Sequence, residues 1–431
     1  MMDKILISNA KMIDGGKHTR ADLLVSGGRI ARIAEHIDVP AGAVVIPADD
    51  LLLSYGFCDL HVHFREPGQE HKETIRTGAL AAAHGGYTAV CAMPNLSPAP
   101  DSPDHINIEC RRIDETAAVE VLPYATLTQG RAGKTPVDMA ALKPFAVAFS
   151  DDGSGIQTTE LMRAIMQQAA REDVIIAAHC EDNSLLHNGY IHDGRYAKTH
   201  NHRGICSESE WGQLQRDLQL ALETGCRYHA CHLSTRESIA LMRQYKKLGA
   251  RVTCETAPHY LVLCEDDLQE EGRFKMNPPL RSADDRAALI EGILDGTIDA
   301  IATDHAPHTA EEKKRGLEGS PFGIVGLETA FPILYTQLVK TGTMPLDLLI
   351  DLLSRRPRGI FRLPGRLQEG EAADLALFDV DAEYVIDSNN FLSMGKSTPF
   401  DGWHVQGKCV LTLKDGRPVF QDKNVINKQL C

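Results

Sequence analysis

The chain has 431 residues, 43% hydrophobic and 24% charged, the balance of a globular protein with a large core. Its formal net charge of −14 argues against a nonspecific nucleic-acid surface, which needs a surplus of basic side chains. Eleven cysteines without a C-x-x-C pair do not suggest a disulfide framework, and neither a signal peptide nor a membrane-length apolar run is visible, so a cytoplasmic protein with no membrane partner is expected.

In chain order, the first 54 residues read as short strands. "ILISNAKMIDGG" and "ADLLVSGGRIARIA" are apolar runs broken by Gly-Gly turns. Between residues 55 and 365 short apolar runs alternate with amphipathic segments such as "TTELMRAIMQQAARED" and "ESIALMRQYKKLG". That alternation predicts parallel strands joined by helices. Eight runs qualify as strands: "GFCDLHV", "YTAVCAM", "VEVLPYA", "FAVAFS", "VIIAAH", "RYHACHL", "RVTCET" and "DAIATD". Eight is the number that closes a (β/α)8 TIM-like barrel, the third and seventh runs being the weakest members. Residues 183–210 are polar and irregular, which predicts a long loop. "ADLALFDV", "AEYVID" and "VLTLKDGRPVF" then return to β structure. The expected fold is α/β, with a barrel over 55–365 and a small discontinuous domain from 1–54 and 366–431.

Polar residues fall at the strand ends. His61 and His63, two apart on a strand, project to one face. The fourth strand runs into Asp151-Asp152, the fifth ends at His179, the sixth at His232 and the eighth at Asp304. Barrel enzymes gather their chemistry at this end of the strands. Each residue alone has a bland explanation, such as a buried histidine or an N-cap aspartate. Four histidines and two carboxylates converging on one rim do not. Mixed nitrogen and oxygen ligands suit a pair of borderline ions such as zinc, which ~3.5–4 Å apart share a hydroxide of pKa roughly 7. One carboxylate bridges and an aspartate shuttles the proton, so metal-assisted hydrolysis of an amide or imide is implied. Strand parity leaves Asp151 and Asp152 both open as the bridge. His229 and His305 are expected to point away from the ligands. Cys180 and Cys231 are expected to do the same as buried thiols, and His200 and His202 to be solvated.

The motifs "DLHVHFREPG", "MPN", "AFSDDG", "AHCEDNS", "CHLST", "KMNPPLR", "ATDHAPH" and "PFGIVGLET" resemble those of the bacterial class I dihydroorotases of the amidohydrolase superfamily, over residues 50 to 365. The resemblance implies reversible interconversion of L-dihydroorotate and N-carbamoyl-L-aspartate in pyrimidine (UMP) synthesis, and a small β-sandwich made of the chain ends. It implies one zinc held by His61, His63 and Asp304 and a second by His179 and His232, with Asp152 bridging. Many relatives bridge with a carboxylated lysine; this chain has none at that strand end, which is the class I pattern. Asp304 is implied as acid/base. Arg65, Asn95 and His308 would take the substrate carboxylate, and Asn277 with the backbone of Phe322 and Gly323 the ring amides. Whether one or two Zn2+ ions are held stays open, two being favoured. A homodimer is the default assembly, and association with aspartate transcarbamoylase is undecided. An allantoinase- or hydantoinase-type activity, or an inactive partner subunit, are the alternatives.

Overall fold

The protein is described by a computed structural model over residues 4–423. Strands β1 (Lys4–Asp14), β2 (Lys17–Ser26), β3 (Arg29–Ala34), β4 (Val44–Pro47) and β5 (Leu52–Tyr55) come from the start of the chain. They join β15 (Leu375–Val385), β16 (His404–Lys414) and β17 (Arg417–Gln421) in one eight-stranded sheet, ordered β17-β16-β15-β5-β1-β2-β3 with β4 beside β1. Hydrogen bonding joins the strands of both chain ends in one continuous sheet. Its own core contains Ile5, Leu23, Leu53, Leu375 and Leu411, contributed by both chain ends. A bulge allows that core to persist along β1. The β1–β2 register shifts between Ile7 and Ala10, with Asn9 at φ 56°, so inward residues change from Ile5 and Ile7 to Ala10 and Met12.

Between these ends, β6 (Phe57–Val62), β7 (Tyr87–Ala92) and β8 (Glu120–Pro123) pair in parallel. So do β9 (Ile175–Ala178), β12 (Arg227–Ala230), β13 (Val252–Thr256) and β14 (Ala300–Ile301), in that order. The run "FAVAFS" joins the two groups, although it carries only single bridges, Phe149 to Ala125 and to Ile176. Its backbone bonds are nonetheless present: Phe149 N donates to Ile175 O (2.9 Å) and Ala125 N to Ala148 O (3.1 Å). A further parallel bridge pairs Val62 with His305, so the pairing returns to β6. The weak third and seventh runs are β8 and β13; the thinnest strand is the fourth.

Helices cover this ring by amphipathic spacing. Thr159–Glu172 buries Met162, Ile165, Met166 and Ala169, a single i, i+3, i+4, i+7 stripe. Thr74 caps Ile75–His84 by accepting from Thr77 N, and Gly78 lets that helix approach Phe64, where a Cβ would meet the ring at 2.4 Å. The first four residues of β15 are buried on both faces. Leu375 and Leu377 enter the sheet core, while Phe378 stacks on Phe57 (4.9 Å) and leans on Phe331 (4.4 Å). Phe378→Ala should therefore cost ~3–5 kcal/mol, read as a lowered unfolding midpoint.

Residues 183–210 are more ordered than a loop. β10 (Ile191–His192) pairs with β11 (Gly204–Ile205), and Arg195–His200 is helical. Buried Tyr190, Ile191, Ala197 and Ile205 anchor the stretch, too sparse to form a sequence period. His202, expected to be solvated, bonds Tyr190 Oη (2.7 Å) and Glu270 (2.9 Å). Among the described residues no helix is long and apolar enough to cross a membrane.

Candidate metal centre and substrate pocket

His61 and His63 arrive from β6, Asp152 from the turn after Ser150, His179 from β9, His232 from β12 and Asp304 from β14. All six are buried. His63 Nε2 lies 3.1 Å from Asp304 Oδ1, and His61 Nε2 lies 3.5 Å from both Asp304 Oδ1 and Asp152 Oδ1. His179 Nδ1 and His232 Nε2 are 3.0 Å apart, at 3.8 and 3.7 Å from Asp152 Oδ1. Asp152 turns Oδ2 the other way, 3.6 Å from His63 Nε2. Asp151 faces elsewhere: its carboxylate accepts from Leu127 N (2.8 Å), Thr128 N (3.2 Å) and the Thr128 hydroxyl.

Two positions owe their aim to unusual backbone. His232 has φ 36° and Asp304 φ 49°, the left-handed region that side chains other than glycine seldom adopt. The turn at His232 takes that imidazole inward out of strand alternation; with His229 already inward against Glu255, alternation itself brings Cys231 inward, which corrects the expectation for both. The Cys231 thiol faces inward, in one group with His61 and Glu255 whose ligand atoms lie within 4.8 Å of one another. Burial pushes it up to about 12. Cys180 points outward to Tyr228 Oη (3.1 Å), and His305 turns to Glu73 (3.5 Å).

The donor set fits divalent cations. His61 Nε2 and Asp152 Oδ1 are buried without a hydrogen-bond partner, a costly state unless something positive lies between them. Burial raises carboxylates, yet neighbouring imidazoles hold Asp152 and Asp304 well below the usual range. Two triads, His61-His63-Asp304 and His61-Asp152-His232, each bring their ligand atoms within 4.8 Å.

A supporting layer was not foreseen. Glu255 stands 3.3 Å from His61 Nδ1 and 3.1 Å from His229 Nε2, fixing the imidazole from behind. Asp59 accepts from His61 N (3.0 Å) and Thr303 N (3.1 Å), tying β6 to the approach to Asp304. Glu181 accepts from Asn277 Nδ2 (2.8 Å). Asp59 had a signal, as the first letter of D-x-H-x-H; Glu255 and Glu181 had none.

Above the cluster opens a pocket of about 170 Å3, lined by His63, Arg65, Asn95, Asp152, Gly153, His179, His232, Asn277, Asp304, Ala306, Phe322 and Gly323. Arg65 (φ 62°) is buried and reaches Pro307 O (3.3 Å). Burial pulls it down to about 10, still charged at neutral pH. Asn95 donates to Asp152 O (3.0 Å). His308 is not in the pocket wall. It sits behind Arg65, with its Nε2 3.5 Å from Arg65 Nη2 and 2.8 Å from Phe322 O, and burial beside Arg65 and Lys72 pulls it down to about 3.

A metal-ligating cluster beneath a small polar pocket, on parallel strands, is the equipment of a cyclic-amide hydrolase of the amidohydrolase superfamily. Comparison with known proteins agrees. The family described as "Dihydro-orotase-like" matches residues 50–238. A dihydroorotase of Bacillus cereus (strain B4264) is 49% identical over 428 residues, 99% of this chain and 100% of that one. One of Bacillus cytotoxicus is 49% identical over 425 residues, 98% and 99% of the two chains. Among solved structures, the L-hydantoinase (dihydropyrimidinase) of Arthrobacter aurescens superposes with TM-score 0.87 at 27% identity, covering 98% of this chain and 96% of that one. The dihydropyrimidinase of Brevibacillus agri NCHU1002 gives 0.85 at 21%, covering 97% and 95%, a likeness of fold. The chain belongs to the dihydroorotase family.

Proposed function

We propose that the protein interconverts L-dihydroorotate and N-carbamoyl-L-aspartate, as a class I enzyme of the bacterial type acting in the cytoplasm in pyrimidine synthesis. The cyclic strand pairing supports a (β/α)8 barrel over 55–365, with the sheet of 1–54 and 366–431 as a second domain; residues 1–3 and 424–431 lie outside the described range. Full-length identity to dihydroorotases, against 27% to the hydantoinase, sets the hydantoinase-type reading second. Retention of all six candidate ligands speaks against an inactive partner subunit. A homodimer is our default assembly, and pairing with aspartate transcarbamoylase stays a secondary reading.

One zinc would be held by His61, His63 and Asp304 and a second by His179 and His232, with Asp152 serving both. When bound, such ions supply a readily deprotonated water and polarise the scissile carbonyl. Asp304 presents Oδ1 to the imidazoles, leaving its other oxygen to take the water's proton as the C–O bond forms. It returns that proton to the ring nitrogen as the C–N bond breaks. Arg65 and Asn95 orient the substrate carboxylate, joined by His308 once its bond to Phe322 O is exchanged. Asn277 and the Phe322–Gly323 backbone face the ring amides.

The observation that carries this reading is the cluster's adjacency to a buried arginine within one pocket. Metal analysis combined with a carbamoyl-aspartate cyclisation assay tests it. Turnover with bound zinc is expected; turnover of allantoin alone, or no metal in protein purified without chelator, reverses it. Arg65→Met should raise the KM for dihydroorotate about 10- to 150-fold, the loss of a charge-assisted contact of ~1.5–3 kcal/mol. Saturation at wild-type concentrations refutes the carboxylate contact.

A further inference from the structure

Lys313 ends the short helix Ala310–Lys313, on the segment that carries His308. In an Ala-Glu-Glu-Lys-Lys run a lysine is ordinarily a solvated surface residue. This one is 7% exposed, and Nζ donates to three carbonyl oxygens: Gly323 at 2.6 Å, Pro321 at 3.0 Å and Lys275 at 3.1 Å. An ammonium has three donors, and all three are used. All three acceptors are backbone: Gly323 lines the pocket, and Pro321 and Lys275 stand one and two residues before the lining residues Phe322 and Asn277.

The same wall is cross-tied around the lysine. Gly323 N donates to Lys275 O (3.1 Å), and Lys275 Nζ donates to Glu318 O (2.8 Å) while lying 4.7 Å from the Phe322 ring centre. Gly323 also has no room for a side chain: a Cβ would meet Ala306 O at 2.7 Å, and φ is 127°.

We propose that Lys313 is a positioning residue for ring recognition, its ammonium clamping the 275–277 and 321–323 backbones at the spacing the substrate's amide groups require. Because His308 rides on the same segment, the carboxylate contact and the ring wall are set together. This inference rests on the dihydroorotate reading above.

Lys313→Met and Lys313→Gln test it, with steady-state kinetics on dihydroorotate, metal content and thermal melting measured together. The expected result is a KM raised about tenfold or more with kcat within about threefold and metal content unchanged. In Lys313→Ala, ethylammonium should lower KM severalfold by returning a cation to the three carbonyls, and tetramethylammonium, which has no N–H, should not. Wild-type KM in either folded variant, or a loss confined to kcat or melting temperature, overturns the proposal. Should Lys313→Met not fold, the glutamine variant and the ethylammonium response decide it, absence of rescue counting against. Wild-type protein is assayed in parallel. No turnover there strikes the dihydroorotase reading, whereas normal turnover with unchanged variant KM strikes the role of Lys313 alone.

Discussion

Replacing Asp304 by asparagine is expected to lower turnover by about 10^3- to 10^4-fold in a protein that still folds. Asparagine keeps the shape and one oxygen facing His63, so the buried site loses little packing. What it loses is the ability to accept a proton from water and return it to the ring nitrogen. The imidazoles of His63 and His61 hold Asp304 below the usual carboxylate range despite its burial. The residue is therefore ionised, and competent as a base, throughout the neutral range. The amide of asparagine is not basic at any of these pH values. Dihydroorotate hydrolysis, read beside circular dichroism and metal content, checks the result. Activity within tenfold of wild type removes Asp304 from proton transfer.

The site was legible in outline because its chemistry sits where strands end. A histidine or aspartate closing an apolar run is visible without knowing how strands pair, and five such runs pointed at one rim. Orientation within a strand was less legible. Counting back from His232, alternation put Cys231 and His229 on the far side from the ligands, yet both face inward, and it is His232 that leaves the alternation through its left-handed backbone. No residue letter announces such a turn, since the strain is maintained by surrounding structure. Glu255 was hidden for another reason. It lies inside β13 rather than beyond its end, and its value comes from His61 and His229, neither of them near it in sequence.

The same distinction explains the fold. Residues 183–210 carry their buried apolar side chains at 190, 191, 197 and 205, a spacing that matches neither helix nor strand period, so only tertiary contact shows them ordered. In the sheet of the chain ends, strand identity was readable but connectivity was not. The bulge near Asn9 and the insertion of β5 between β1 and β15 decide that one sheet forms. Lys313 is the extreme case: its sequence context is that of a solvated helix, and its burial is imposed by carbonyls 8 to 38 residues away.

Asp152→Asn should reduce bound metal by about one equivalent and lower turnover by at least ~10^3-fold, while Asp151→Asn should leave metal content intact. The two neighbours separate on geometry. Asp152 alone faces both halves of the cluster, Oδ1 toward His61, His179 and His232 and Oδ2 toward His63. Removing its charge leaves those four imidazoles around a neutral amide, which weakens the attraction for a second cation. Asp151 instead accepts two backbone N–H groups and the Thr128 hydroxyl, holding the 127–128 turn. Its asparagine variant sacrifices charge-assisted bonds worth ~1–3 kcal/mol, so its melting temperature falls while its metal stays. Metal analysis and thermal melting on the pair therefore give opposite patterns. Loss of metal from Asp151→Asn with retention in Asp152→Asn exchanges their roles and dismantles the bridged arrangement proposed for this site.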